Sequence, residues 1–159
     1  MEKMNIDIKN LYYNACLEEL KVNKPGNFSI QSKILGMDKK KFEYAAKISS
    51  EILSNTNLSL GESIYNAALK SFKELRSNYN LGIILLCAPI FKIRKSNLNN
   101  FVNELNKIIG NISEKDGKLI LSAIKLVGPG GLNKYSGKGD VNTKITLSFD
   151  KIMKIGSKW

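Results

Sequence analysis

Histidine is absent from this chain, and its two cysteines, Cys16 and Cys87, lie far apart with no Cys-x-x-Cys pair. A zinc or other transition-metal site therefore has almost nothing to be built from, and any metal would be Mg²⁺ on oxygen ligands. Both cysteines fall on apolar helical positions, as buried free thiols in a reducing cytosol do. Arginine is nearly missing as well: all but Arg76 and Arg94 of the 25 basic residues are lysine. Base reading and bidentate phosphate capture favour the guanidinium fork, so the net charge of +11 reads first as a solvated lysine surface. Long apolar runs are also lacking. The longest, Leu81 to Phe91, is too short to span a bilayer, and the polar, charged N-terminus is no signal peptide, so a cytoplasmic protein is expected. No stretch alternates with a period of two, and no repeat or low-complexity linker is visible.

What is present is helix. A chain of 159 residues that is 43% hydrophobic can bury one adequate core, so the expectation is an all-α, single-domain bundle over residues 1–159. About seven helices are expected around a central apolar one at 81–93. The first spans about 4 to 22, with Ile8, Tyr12, Ala15, Cys16 and Leu20 forming one apolar arc. From Asp38 to Leu53, Phe42, Ala45, Ala46, Ser49, Ile52 and Leu53 share a face. Ser59 with Glu62 forms a capping box ahead of Ile64, Ala67, Ala68, Phe72 and Leu75. Beyond the central segment, Leu98, Phe101, Val102, Leu105, Ile108 and Ile109 repeat the pattern, with Gly110 as the stop. Ser113 with Asp116 caps a helix carrying Leu119, Ile120, Ala123, Ile124 and Val127, and a short last helix covers about Thr143 to Ile155.

Four features could carry chemistry. Glu19 lies inside the apolar arc of the first helix. A carboxylate aimed at a core is a candidate general acid or base, or the acidic half of an ion pair, for example with Lys24. Next comes Asn23-Lys24-Pro25-Gly26-Asn27, where Pro25 ends the helix, Gly26 permits positive φ and Asn27 can bond the turn. The third is the start of the central helix, Asn78-Tyr79-Asn80-Leu81-Gly82. Asn80 is a good N-cap there, and a helix start rich in amides and glycine can hold an anion, commonly a phosphate, or simply cap a core helix. The fourth is the irregular stretch from Gly128-Pro129-Gly130-Gly131 to Val141, with Lys134 and Lys138. It is not a Walker A loop: Gly131 to Gly137 is one residue too long, and Gly139 stands where Ser or Thr is required.

In their order and spacing, Ala15-Cys16-Leu17-Glu18-Glu19, Lys24-Pro25-Gly26-Asn27, Leu60-Gly61-Glu62-Ser63-Ile64, Asn78-Tyr79-Asn80-Leu81-Gly82-Ile83, Pro129-Gly130-Gly131-Leu132 and Asp140-Val141 resemble the triphosphoribosyl-dephospho-CoA synthase family, in its archaeal-type branch. The resemblance implies an all-helical fold and transfer of the triphosphoribosyl group of ATP to 3′-dephospho-CoA or a related nucleotide-like acceptor, with release of adenine. It implies that Glu19 is the catalytic carboxylate. Lys24, Gly26, Asn27, Asn78, Asn80 and Gly82 would hold the triphosphate, Gly130 and Gly131 would close the site, and Glu62 and Asp140 would be available to Mg²⁺. Tyr79 and Asn23 depart from the family pattern, where Thr and Pro are expected. Family members continue with further helices, so the chain corresponds to the N-terminal and central part of the longer family domain, and a second copy or a partner subunit could stand in for the remainder. Two other readings stay open: a catalytically silent nucleotide-binding or assembly protein on the same scaffold, and a basic helical nucleic-acid binder.

Overall fold

The computed structural model describes residues 7–23, 28–31, 37–93, 100–128, 140 and 149–156. These form seven α-helices and one 3₁₀ segment, with no strand among the described residues. The helices are α1 (Ile8–Glu19), α2 (Lys39–Leu53), α3 (Leu60–Leu75), α4 (Leu81–Cys87), α5 (Phe101–Gly110), α6 (Glu114–Val127) and α7 (Phe149–Gly156); the 3₁₀ segment is Ala88–Lys92. The all-α expectation is met, and so is the succession of helices.

Each well-formed start has a side-chain acceptor for its free N–H groups. Asp7 accepts from the backbone of Lys9 and Asn10, Asp38 from Lys41, Ser59 from Glu62 and Ser113 from Asp116. Replacing one such cap by alanine typically costs about 1 kcal/mol. At the other ends, α6 closes on Gly128 in the left-handed region, and α3 closes on Arg76 in the same conformation. Gly110 is the last helical residue of α5, and the turn itself falls on Asn111.

The core gathers one face from each of several helices. Tyr12, Cys16 and Leu20 of α1 and its C-terminal turn meet Phe42, Ala45, Ala46 and Leu53 of α2 and Ile64, Ala67 and Ala68 of α3. Leu81 and Ile84 of α4 and Ile120, Ala123 and Val127 of α6 complete the cluster. α3 and α6 make the most extensive helix pair, and their starts lie side by side. An added Cβ on Gly61 would come within 2.5 Å of Asp116 Cα, so only glycine allows this approach. Gly117 does the same for α7, where an added Cβ would sit 2.6 Å from Phe149 Cβ.

Three sequence expectations need correction. The α1 arc is narrower than its wheel suggests: Ala15 is exposed, and Tyr12, Cys16 and Leu20, four residues apart, carry the burial. The segment 81–93 is not one α-helix. Pro89 cannot donate to the carbonyl four residues back, and the chain tightens into 3₁₀ geometry from Ala88. Nor is it buried all round, since Leu86 is 76% exposed. In α5 no residue is fully buried, and Val102 and Ile109 of its apolar stripe face outward. The last helix is described from Phe149; its expected start at Thr143 falls in 141–148, which lie outside the described residues, as do 1–6 ahead of α1.

The Gly61 contact yields a stability prediction. Gly61→Ala should lower the free energy of unfolding by about 1–3 kcal/mol, the usual cost of forcing a methyl into a packed contact. Gly110→Ala, with nothing within 4 Å of the new carbon, should change it by less than about 1 kcal/mol. Urea titration of both variants checks the difference, and equal midpoints would contradict the close approach.

Candidate functional site

The candidate site begins with a buried polar junction. Tyr12 of α1 donates its hydroxyl to Ser49 Oγ at 3.0 Å, and Asn80 Nδ2 donates to the same oxygen at 2.9 Å. The Ser49 proton goes to the Ala45 carbonyl at 2.8 Å, with Ala46 O at 3.1 Å. A hydroxyl has two lone pairs and one proton, so Ser49 is fully used. All three residues are nearly inaccessible to water: Tyr12 is 5% exposed, Ser49 0% and Asn80 3%. The Tyr12 ring also meets the Phe91 ring edge-on at 5.5 Å, which adds the 3₁₀ segment to the junction.

The electrostatics follow the burial. Desolvation drives the Tyr12 phenol far above its ordinary range, with Cys16 adding to the shift and the Ser49 hydrogen bond opposing it. Desolvation pushes the Cys16 thiol up to about 11; the Tyr12 hydrogen bond opposes this, and the Cys87 and Glu19 charges add to it. Cys87 is raised by burial as well. These groups stay neutral at pH 7, so none is a ready nucleophile or base. Glu19 follows Cys16 by three residues on the same side of α1 and is half-buried. The helix that carries this carboxylate is thus pinned through Tyr12 and Ser49 to the residue that opens α4.

At that opening the two amides divide their work. Asn78 Oδ1 accepts from the Leu81 N–H at 3.2 Å, so Asn78 supplies the side-chain cap. Asn80 occupies the N-cap position without a side-chain cap bond, because its amide is turned inward to Ser49. This corrects the expectation that Asn80 caps the helix with its side chain. Tyr79 is buried, whereas Gly82 is exposed with open space around it. After α1, Ile30 N–H donates to Leu20 O at 2.9 Å and Ser29 is buried. These contacts tie together the described residues on either side of 24–27. Lys24, Gly26 and Asn27 themselves lie outside the described residues, as do Gly130 and Gly131.

Glu62 stands at a separate junction, between the starts of α3 and α6. Its Oε2 accepts from the Ser59 N–H at 3.0 Å and its Oε1 pairs with Lys115 Nζ at 2.7 Å. The Lys115 hydrogen bond, then the Ser59 N–H, hold its carboxyl down to about 2. Beside it, Asp116 Oδ1 accepts from Gly61 N–H at 2.9 Å and from the Ser59 hydroxyl, and Oδ2 accepts from Ser113 Oγ at 3.1 Å. Asp140, also expected near a metal, is half-buried. No group of three or more Cys, Asp or Glu side chains suited to a metal ion occurs among the described residues. Sequence reasoning overlooked the role of Ser49, although a serine amid Phe42, Ala45, Ala46, Ile52 and Leu53 was the available signal. It also missed Asp116 as a bridge between helices, having read it only as a cap partner of Ser113.

The family model for ATP:dephospho-CoA triphosphoribosyl transferase matches residues 5–159. No curated protein and no solved structure matches the chain.

The two junctions make separate predictions. Ser49→Ala leaves two buried donors without their acceptor and should cost about 2–3 kcal/mol, whereas Tyr12→Phe removes one donor and should cost about 1 kcal/mol. Urea midpoints give the order, and a neutral Ser49→Ala would contradict the shared acceptor. For Glu62, the folded-state value lies below the ordinary 4.5, so ionisation favours the native state. Its contribution is complete above pH 4.5 and fades as the pH falls toward 2. Glu62→Gln should therefore flatten the dependence of the urea midpoint on pH in that window, an effect that added salt should reduce.

Proposed function

Because the chain belongs to the ATP:dephospho-CoA triphosphoribosyl transferase family, we propose that it moves the triphosphoribosyl group of ATP onto 3′-dephospho-CoA and releases adenine. The observation that carries this reading is the family match across residues 5–159. In the reaction the bond between the ribose anomeric carbon and adenine breaks, and a bond to the acceptor's 2′-hydroxyl oxygen forms. The hydroxyl gives up its proton and the departing adenine takes one up, so protons balance. Glu19 is the group assigned to receive the hydroxyl proton, a role that suits a half-buried carboxylate fixed at the end of a pinned helix.

In the same reading Lys24, Gly26 and Asn27 are assigned to the triphosphate together with Asn78 and Gly82. Gly130 and Gly131 close over it. Asn80 contributes differently. Its amide is spent on Ser49, so it acts by fixing the backbone of this entrance. Both oxygens of Glu62 are already held by Ser59 and Lys115, and no group of three or more acidic side chains suited to a metal ion occurs among the described residues. Magnesium is assigned only as the counter-ion that ATP brings, and no step depends on it. Among the described residues no helix is long and apolar enough to cross a membrane, and a cytoplasmic setting is proposed. Lys39, Lys107, Lys118 and Lys154 each pair with a carboxylate one turn away on their own helix. This supports a solvated lysine surface over a nucleic-acid face.

The test is the product mixture after incubation with ATP, dephospho-CoA and Mg²⁺. Adenine should appear in step with a triphosphoribosylated acceptor, and Glu19→Gln should slow its release by about 10²–10⁴-fold with the melting temperature unchanged. Thermal stabilisation by ATP without any adenine would point instead to a silent nucleotide-binding protein.

A further inference from the structure

An open cleft of about 340 Å³ lies between the start of α3, the 3₁₀ segment, α5 and the turn leading into α6. That volume is in the range of small-ligand sites, which combine an apolar lining with a few polar groups. Here Leu60, Ile108 and Ile112 supply the apolar surface, and Lys92, Lys107 and Asn111 stand around it with Asp116.

The polar groups differ in what they have left to offer. Asp116 is already held by the Ser59 hydroxyl, the Gly61 N–H and the Ser113 hydroxyl. Lys92 is half-buried and donates to the Leu58 carbonyl at 2.8 Å. That uses one of its three N–H donors and leaves two without a partner among the described residues. Lys107 pairs with Glu104 at 2.8 Å, and its side chain is 66% exposed at the rim of the cleft. Asn111 is exposed and adds an amide. The unspent capacity is therefore mostly donor and cationic, set beside an apolar wall. A cationic ligand would meet Lys92, and a wholly apolar one would strand it. A phosphate with an uncharged, flexible arm satisfies both halves. Burial weakens the hold of Lys92 on its proton, opposed by the charges of Asp116 and Glu62, and a bound anion would reinforce that opposition.

We propose that this cleft binds the phosphate-linked pantetheine arm of the acceptor, with Lys92 and Lys107 on the phosphate and Leu60, Ile108 and Ile112 along the arm. The choice of ligand rests on the function proposed above, since dephospho-CoA carries such an arm. The site itself rests on the cleft.

The experiment is calorimetric titration of the full chain with 4′-phosphopantetheine, pantetheine and inorganic phosphate. Phosphopantetheine should bind at least tenfold more tightly than either fragment. Lys92→Met should weaken it tenfold or more while leaving thermal stabilisation by ATP unchanged. Should that variant melt early, amide shift mapping on the unaltered chain takes its place, with the largest shifts expected at Leu60 and across Lys107–Ile112. Absent binding at millimolar ligand, pantetheine binding as tightly as its phosphate ester, indifference to Lys92→Met, or shifts confined elsewhere would each overturn the proposal. Adenine release without phosphopantetheine binding would remove this inference alone, whereas binding without adenine release would remove the proposed reaction and leave the cleft as a ligand site.

Discussion

One oxygen atom, Ser49 Oγ, holds three helices to a common geometry. It accepts from Tyr12 on α1 and from Asn80 at the head of α4, and it donates within α2. In a dry core each of these bonds is electrostatically stronger than in water, and an unmet donor there is correspondingly expensive. Apolar packing alone would let α1 slide or rotate against α2 by small amounts at low cost. A hydroxyl with every valence committed does not allow this, because the alternative registers leave buried polar groups unmet. The placement of Glu19, one short step further along α1, follows from that restriction.

A second restraint governs the other end of the bundle. The paired starts of α3 and α6 bring two sets of free N–H groups, each with partial positive charge, close together. Glu62, Glu114 and Asp116 in the first turns offset this, and Asp116 reaches across to bond the Ser59 hydroxyl and the Gly61 N–H. Acidic residues here serve the architecture first. That is why Glu62, attractive as a metal ligand when only its type and neighbourhood are known, has both oxygens occupied once the helices are assembled.

Helix number and sequence position were legible from apolar spacing, because each helix buries one stripe and the spacing of that stripe is local information. The capping box at Ser59 and the N-cap at Ser113 were legible for the same reason. What escaped was tertiary. The wheel of α1 could not say that Ala15 would face water, since that depends on where α2 lies. The run Leu81–Phe91 resembled a wrapped core helix, yet nothing covers Leu86 among the described residues. Asn78 and Asn80 are chemically alike, and only the position of Ser49, 31 residues before Asn80, decides which turns inward. The candidate site was legible as motifs through the family resemblance, but the junction beneath it was not, because Tyr12 and Ser49 belong to no motif.

The saturation of Ser49 also bears on how this chain can change over time. Positions 12, 49 and 80 share one hydrogen-bond ledger, so a substitution at any of them alters what the other two can tolerate. The asymmetry lies with the acceptor: losing one donor leaves Ser49 still bonded to the other, whereas losing Ser49 strands both donors. Relatives should therefore keep Ser49 wherever Tyr12 and Asn80 are both present, and a path that abandons the three should give up the donors before the acceptor.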